Sequence, residues 1–284
     1  MGETIMRMRG PGGTSLFGSP RHALRRWISM YPTMYLPMAR LKNEHSVLEA
    51  GTELVLDGTS RSANTFAAIA FQLAQNDHVR LAHHMHAAAS LVAAARRGVP
   101  TLIPVREPEP TILSSLMREP QVTARQWLKT YVAFYERLLP YRSAFVIATF
   151  TEVTSDFGAV TRRVNERFAT RFREFDHTEQ NVQAVFTLIE ERAEGPPWQP
   201  SLNRFVSGLL SADEYHALTR PYRDGSEGRR RPIPELRVQR PSAQREAAKG
   251  QIRERYQAPG LADLRTAAEE AYRAFVGTVG SSAG

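Results

Sequence analysis

Residues 53–66 read Glu53-Leu54-Val55-Leu56-Asp57-Gly58-Thr59-Ser60-Arg61-Ser62-Ala63-Asn64-Thr65-Phe66. Leu54, Val55 and Leu56 form a continuous apolar run, the pattern of a short strand buried on both faces of a parallel sheet. Gly58 interrupts it and small polar residues follow. A helical apolar pattern then opens at Asn64 or Thr65 and runs through Phe66, Ile69, Ala70 and Leu73. A strand, a tight loop and a helix N-terminus together form a cradle for an anion. The loop N–H groups point inward, and the helix dipole adds partial positive charge.

A nucleotide-binding P-loop has Gly, four residues, Gly-Lys, then Ser or Thr. In the same register this chain has Gly58, four residues, then Ala63-Asn64-Thr65. The lysine that reaches the β- and γ-phosphates is missing, and Arg61 lies inside the loop. Such a cradle suits ATP hydrolysis poorly. It fits a phosphate next to a second anionic group within reach of Arg61.

Downstream, strand and helix patterns alternate. Val79–Ala82 alternates like a second strand, and the alanine-rich 87–97 stretch reads as a helix closed by Gly98. Residues 100–106 form a third strand, in which Pro104 removes a ladder hydrogen bond and favours an edge or a bulge. Helices follow from Glu109-Pro110 and over 121–139, then a fourth strand over 144–150. Further helices are expected over 156–168 and 178–193. This alternation predicts an α/β fold: a P-loop-NTPase-like parallel sheet flanked by crossover helices. C-terminal helices over 242–256 and 261–275 complete it.

Residues 1–20, rich in Gly, Arg, Ser and Pro, read as a disordered tail, and 277–284 as a frayed end. Residues 21–276 read as a single α/β domain. Within it, 195–241 loses periodicity, carries Arg229-Arg230-Arg231, and is expected to be a flap or long loop. Thirty-seven Lys and Arg against 29 Asp and Glu favour anionic partners. Zero cysteines exclude disulfides, thiolate nucleophiles and cysteine metal sites. No signal peptide or apolar run of ~20 residues is evident, so the expectation is a cytoplasmic chain without a membrane span. Residues 21–30 form a short basic amphipathic stretch, which reads either as a helix docked on the domain or as a weak membrane-surface contact.

Two other constellations carry chemistry. Arg106 ends the third strand, at the carboxyl edge where open α/β sheets bind ligands, and Ser114 follows eight positions later on a helix. A guanidinium and a hydroxyl converging there suit a dianionic phosphate. His84 and His86 share one side of an extended segment. No third metal ligand is suggested nearby, so the expectation is no metal. An imidazole there can accept a proton near neutrality.

The loop Gly58–Thr65 resembles the 5′-phosphosulfate loop of the sulfotransferases, Gly-x-Pro-(Arg/Lys)-Ser-Gly-Thr-Thr. Gly58, Arg61, Ser62 and Thr65 match, while Ser60, Ala63 and Asn64 depart from it. A left-handed backbone at Ala63 would cost roughly 1–2 kcal/mol that glycine avoids. Val105-Arg106-Glu107-Pro108 with Ser114 is similar to the family's 3′-phosphate motif. His84-Met85-His86-Ala87-Ala88 stands where the family has Lys-Thr-His-Leu-Pro, putting His86 at the base and His84 at the lysine. Either histidine remains a candidate base. The likeness covers about residues 52–176, including Phe150-Thr151-Glu152 and the 160–172 run, and more faintly 241–275. For the family's Arg-Lys-Gly motif, Arg240, Arg245 and Lys249-Gly250 are the candidates.

The resemblance implies transfer of a sulfuryl group from 3′-phosphoadenosine 5′-phosphosulfate (PAPS) to a hydroxyl on a small-molecule, glycan or lipid acceptor, with no metal required. Donor contacts would come from Gly58, Thr59, Ser60, Arg61, Ser62, Ala63, Asn64, Thr65, Arg106 and Ser114. Arg61 and His86 or His84 would act in catalysis. Two rivals remain. A small-molecule kinase would use the same cradle but needs the missing lysine. A basic module binding nucleic acid or acidic lipid would leave both phosphate motifs without a role, so no nucleic-acid partner is expected.

Overall fold

The computed structural model describes residues 20–41, 45–194, 198–223 and 243–277. Two short helices, Pro20–Ile28 (α1) and Pro32–Arg40 (α2), precede the first strand, Leu54–Leu56 (β1). The chain then alternates: Asn64–Ala74 (α3), Leu81–His83 (β2), Ala88–Arg97 (α4), Thr101–Val105 (β3), Pro108–Arg118 (α5), Ala124–Leu138 (α6) and Val146–Thr149 (β4). Helices complete it: Phe150–Ser155 (α7), Phe157–Phe168 (α8), Glu179–Glu194 (α9), Trp198–Val206 (α10), Ala212–Arg223 (α11), Ala243–Gln257 (α12) and Ala262–Val276 (α13). No described helix is long and apolar enough to cross a membrane.

The strands form one parallel sheet in the order β2-β1-β3-β4. Twelve of the fifteen residues of β1, β2, β3 and β4 are apolar, the exceptions being His83, Thr101 and Thr149, because helices cover both faces. On one face Val55, Ile103 and Val105 pack with Leu91, Leu128, Tyr135 and Phe275 from α4, α6 and α13. On the other, Leu54, Leu56 and Leu102 pack with Ile69, Val160, Leu188 and Phe205 from α3, α8, α9 and α10. Local signals fix the helix ends. Thr123 and Gln126 form a capping box on α6, Asp156 accepts from the Ala159 N–H at the start of α8, and Gly98 ends α4 at φ 66°.

From β1 the chain crosses to β2 on one side, whereas β3 and β4 build outward on the other. The carboxyl ends of β1 and β3 therefore flank the crevice where strand order reverses, which positions the loops after Leu56 and Val105 beside each other. Pro104 departs from expectation, because β3 lies inside the sheet rather than at an edge. Pro100 and Leu102 accept from the Val55 and Asp57 N–H groups, so by strand alternation Pro104 faces β1 as well. By that level β1 has ended, and no carbonyl there needs the missing N–H. Gly58 fills the space: a Cβ on it would stand 2.3 Å from the Pro104 carbonyl oxygen.

Two other expectations are corrected. The described part of the expected loop, 198–223, folds as α10 and α11. Trp198, Leu202, Phe205 and Val206 recur at helical spacing and are buried, and the Tyr215 hydroxyl donates to Glu191 Oε2 at 2.7 Å. Scattered prolines and glycines had masked that period. The rest of the segment, including Arg229–Arg231, lies outside the described residues, as do the expected tails 1–19 and 278–284. The segment holding His84 and His86 is not extended, since both have left-handed backbones at φ 57° and 50°.

Candidate active site

The loop after β1 is tied down by its own side chains. The buried hydroxyls of Thr59 and Ser62 lie 2.6 Å apart, and Asn64 Nδ2 donates to the Thr59 carbonyl at 2.8 Å. Ala63 is the N-cap of α3 and adopts φ 64°, ψ 15°, with no side chain capping the helix. The first N–H groups of α3 are thus left without intrahelical acceptors, facing the cradle. Asn64 is buried, yet its Oδ1 has no hydrogen-bond partner. Four of the five non-glycine residues with positive φ among the described residues, Arg61, Ala63, His84 and His86, border this loop. Such clustered backbone strain is characteristic of functional sites.

Asp57 joins this loop to the one after β2. Its fully buried carboxylate accepts from the N–H groups of Gly58 at 3.0 Å, Met85 at 3.0 Å and His86 at 2.9 Å. His86 Nδ1 lies 2.9 Å from the Gly58 carbonyl and 3.4 Å from Asp57 Oδ1. A carbonyl can only accept, so Nδ1 carries the proton. In the neutral imidazole, Nε2 is then the nitrogen with the lone pair.

His84 is held quite differently. Arg192 of α9 donates from Nη1 to His84 Nε2 at 2.9 Å and to Thr65 Oγ1 at 3.2 Å. Because Nε2 accepts from a guanidinium, the His84 proton sits on Nδ1, which faces His83 Nδ1 at 2.5 Å. His83 Nε2 then donates to Ser207 Oγ at 3.1 Å. The tautomers of the whole chain follow from the one donor that cannot accept. Burial, reinforced by the Arg192 charge, depresses the pKa of His83 to about 3 and that of His84 well below its ordinary value. Arg192 itself is lowered to about 10, chiefly by burial and then by Arg118. No carboxylate among the described residues lies within ion-pair distance of it.

The loop after β3 completes the arrangement. Arg106 lays its guanidinium over the Phe150 ring, 3.9 Å from the centroid, and Nη1 donates to the Arg61 carbonyl at 3.2 Å. Arg61 Nε donates to Ser114 Oγ at 2.8 Å, so the serine is bonded to Arg61, eight positions beyond Arg106 but on the same wall. Tyr131 donates to the Arg106 carbonyl at 2.6 Å, and the Tyr135 hydroxyl lies 3.3 Å from Thr59 Oγ1. Burial raises both phenols' pKa values, Tyr135 to about 12, so both remain protonated.

His84, His86 and Ser114 line a cavity of about 640 Å³ whose wall also carries Arg61, Arg106, Arg118, Arg192 and Lys249 against Glu119 and Glu246. A smaller cavity of about 130 Å³ adjoins it, walled by Tyr35, Met85, Ile112, Trp127 and Phe134. Ser60, His86 and Glu119 line both. The depression between α12 and α13 has a similar volume to the larger cavity, but touches none of these loops.

Of the residues named from sequence, Ser60, Arg61, Ala63, Asn64, Thr65, His84, His86, Arg106 and Ser114 line one cavity, whereas Thr59 lines the smaller one and the side chain of Ser62 is fully buried; Gly58 borders neither. Lys249 also reaches it, Arg245 lies in the first turn of α12, and Arg240 is outside the described residues. Asp57 and Arg192 were missed. A carboxylate directly after three buried apolar residues was a readable signal for Asp57. Arg192 sits in an ordinary helical pattern with no local motif. Among the described residues no group of three or more His, Asp or Glu side chains is placed to hold a metal ion. No family model, curated protein or solved structure matches the chain.

Proposed function

We propose that the chain is a sulfotransferase with a P-loop-like cradle, moving the sulfuryl group of PAPS to an acceptor hydroxyl. The observation that carries this reading is the pairing of cavities. A basic one, beside an uncapped helix N-terminus, meets a smaller aromatic one at His86. Basic side chains and free N–H groups suit a doubly phosphorylated, sulfated donor. Arg61 and Arg192 flank the loop that would hold the phosphosulfate, and Arg106 the wall that would hold the 3′-phosphate. Arg192, bonded to His84, supplies a cation where the family's lysine is missing from the sequence.

His86 is the base in this reading. Its Nε2 lone pair takes the acceptor proton while the acceptor oxygen bonds to sulfur. The bond from sulfur to the bridging oxygen breaks, and 3′-phosphoadenosine 5′-phosphate departs. Asp57, 3.4 Å from Nδ1, stabilises the imidazolium that results. His84 is unsuited to the task, because its Nε2 lone pair already accepts from Arg192.

Calorimetry with 3′-phosphoadenosine 5′-phosphate, adenosine 5′-phosphate and ATP tests the reading. The 3′-phosphorylated product should bind tightest, and Arg106→Ala should weaken it about ten- to a hundredfold while sparing the analogue lacking that phosphate. Preference for magnesium-ATP would favour a kinase. Equal weakening of both ligands would assign Arg106 to the fold.

A further inference from the structure

Six of the eight exposed large apolar side chains among the described residues lie between Leu24 and Leu41. They are Leu24, Trp27, Tyr31, Met34, Met38 and Leu41, each 41–89% exposed. On α1, Leu24 and Trp27 share one side, while His22, Arg25, Arg26 and Ser29 fall on the opposite side at helical spacing. On α2, Met34 and Met38 are one turn apart, and Leu41 continues their stripe. Each helix thus presents an apolar stripe to solvent, and the Trp27 and Tyr31 rings meet with centroids 5.4 Å apart where α1 leads into α2. Residues 20–41 also contain four arginines and no Asp or Glu, although the chain as a whole carries 29 acids. Large exposed apolar residues on a segment of net positive charge complement an anionic bilayer, with the apolar side chains at the acyl boundary and the segment's basic charge drawn toward the headgroups.

We propose that α1 and α2 dock the protein on an anionic lipid surface. The α1 side chains facing away from that surface, His22, Arg25 and Arg26, line the smaller cavity, and the His22 ring meets the Trp127 indole edge-on with centroids 5.0 Å apart. The docking helix is therefore also one wall of that cavity. Access to the cavity is coupled to docking, and an acceptor hydroxyl carried by an amphiphile in the same bilayer would reach His86 from there. This last step rests on the sulfotransferase reading; the docking does not.

The test is sedimentation of the full chain with vesicles of phosphatidylcholine alone and of phosphatidylcholine with phosphatidylglycerol. Binding should require the anionic lipid and weaken as salt rises, with each arginine near the surface worth roughly fivefold in partitioning. The triple variant Leu24→Ser, Trp27→Ser, Met38→Ser should lose most binding, and Arg40→Gln about fivefold. All four side chains are exposed, so an unchanged melting temperature checks that each variant is folded. Native protein that ignores anionic vesicles, or a triple variant that binds as well as native, overturns the proposal. So does self-association through the strip without vesicle binding, read by sedimentation velocity. Nucleotide calorimetry on the same preparations reports separately on the donor site.

Discussion

Replacing Arg192 by Met should move stability and ligand affinity in opposite directions. The guanidinium is largely withdrawn from water, has no carboxylate at ion-pair distance among the described residues, and its pKa is pulled from 12.5 to about 10. At neutral pH, below both values, the charged form carries that whole penalty. Allowing for its partial exposure this is roughly 2–3 kcal/mol. Methionine is of similar length and uncharged, so it removes the penalty. It also loses the charge-assisted donations to Thr65 and His84, together about 1.5 kcal/mol, at the low end for a charged donor because the two acceptors re-pair. Those two acceptors stay 2.9 Å from each other, so neither is orphaned. The ligand-free variant should therefore be more stable by about 1 kcal/mol, or about 2–4 °C in melting temperature. Affinity for 3′-phosphoadenosine 5′-phosphate should fall about ten- to a hundredfold, as expected when one charge-assisted contact is lost. Urea titration and calorimetry on one preparation read both quantities. A variant that is less stable and binds the nucleotide unchanged would refute the argument, because Arg192 would then be a structural donor.

Ala63→Gly should stabilise the protein by about 0.5–1 kcal/mol: it relieves a left-handed alanine worth roughly 1–2 kcal/mol and gives back part of that in unfolded-chain entropy. Thermal unfolding checks it, and a loss of stability would mean that the loop does not hold that conformation in solution. The histidine chain should make the fold acid-sensitive. His83 and His84 have depressed folded pKa values, so below about pH 6.5 the unfolded chain takes up protons that the native state refuses. Stability should then fall with pH by up to about 1.4 kcal/mol per unit for each histidine, and about 2 kcal/mol for His83 alone between about pH 7 and pH 5. Urea midpoints across that range that stay flat would contradict the buried, neutral pair.

What the sequence disclosed follows the range of the signals. The cradle was readable because strand, loop and helix start are contiguous, and the cost of a left-handed backbone at Ala63 was signalled by the glycine that the sulfotransferase loop has at that position. Arg106 was readable as the last residue of an apolar strand. The partner of Ser114 was not, because Arg61 reaches it across 53 positions through a side-chain conformation no local pattern encodes. Arg192 lies 127 positions from Thr65 and is brought to it by the packing of α9 on α3. His84 and His86 were misread as extended because the Asp57 carboxylate curls their backbone by claiming consecutive N–H groups, a tertiary effect invisible to alternation. Residues 198–223 failed for the converse reason: helical spacing was present but diluted among prolines and glycines.

Asp57 has a consequence for redesign. A different loop transplanted after β2 would have to present two successive amides to the same carboxylate, or that carboxylate would be left buried with one oxygen unsatisfied beneath the loop after β1. Its other oxygen orients the Gly58 amide, so the fault would spread to the loop after β1. The loops after β1 and β2 are therefore not interchangeable modules. Any graft has to carry its own match to residue 57, and libraries that randomise the loop should keep the backbone at 85 and 86 fixed.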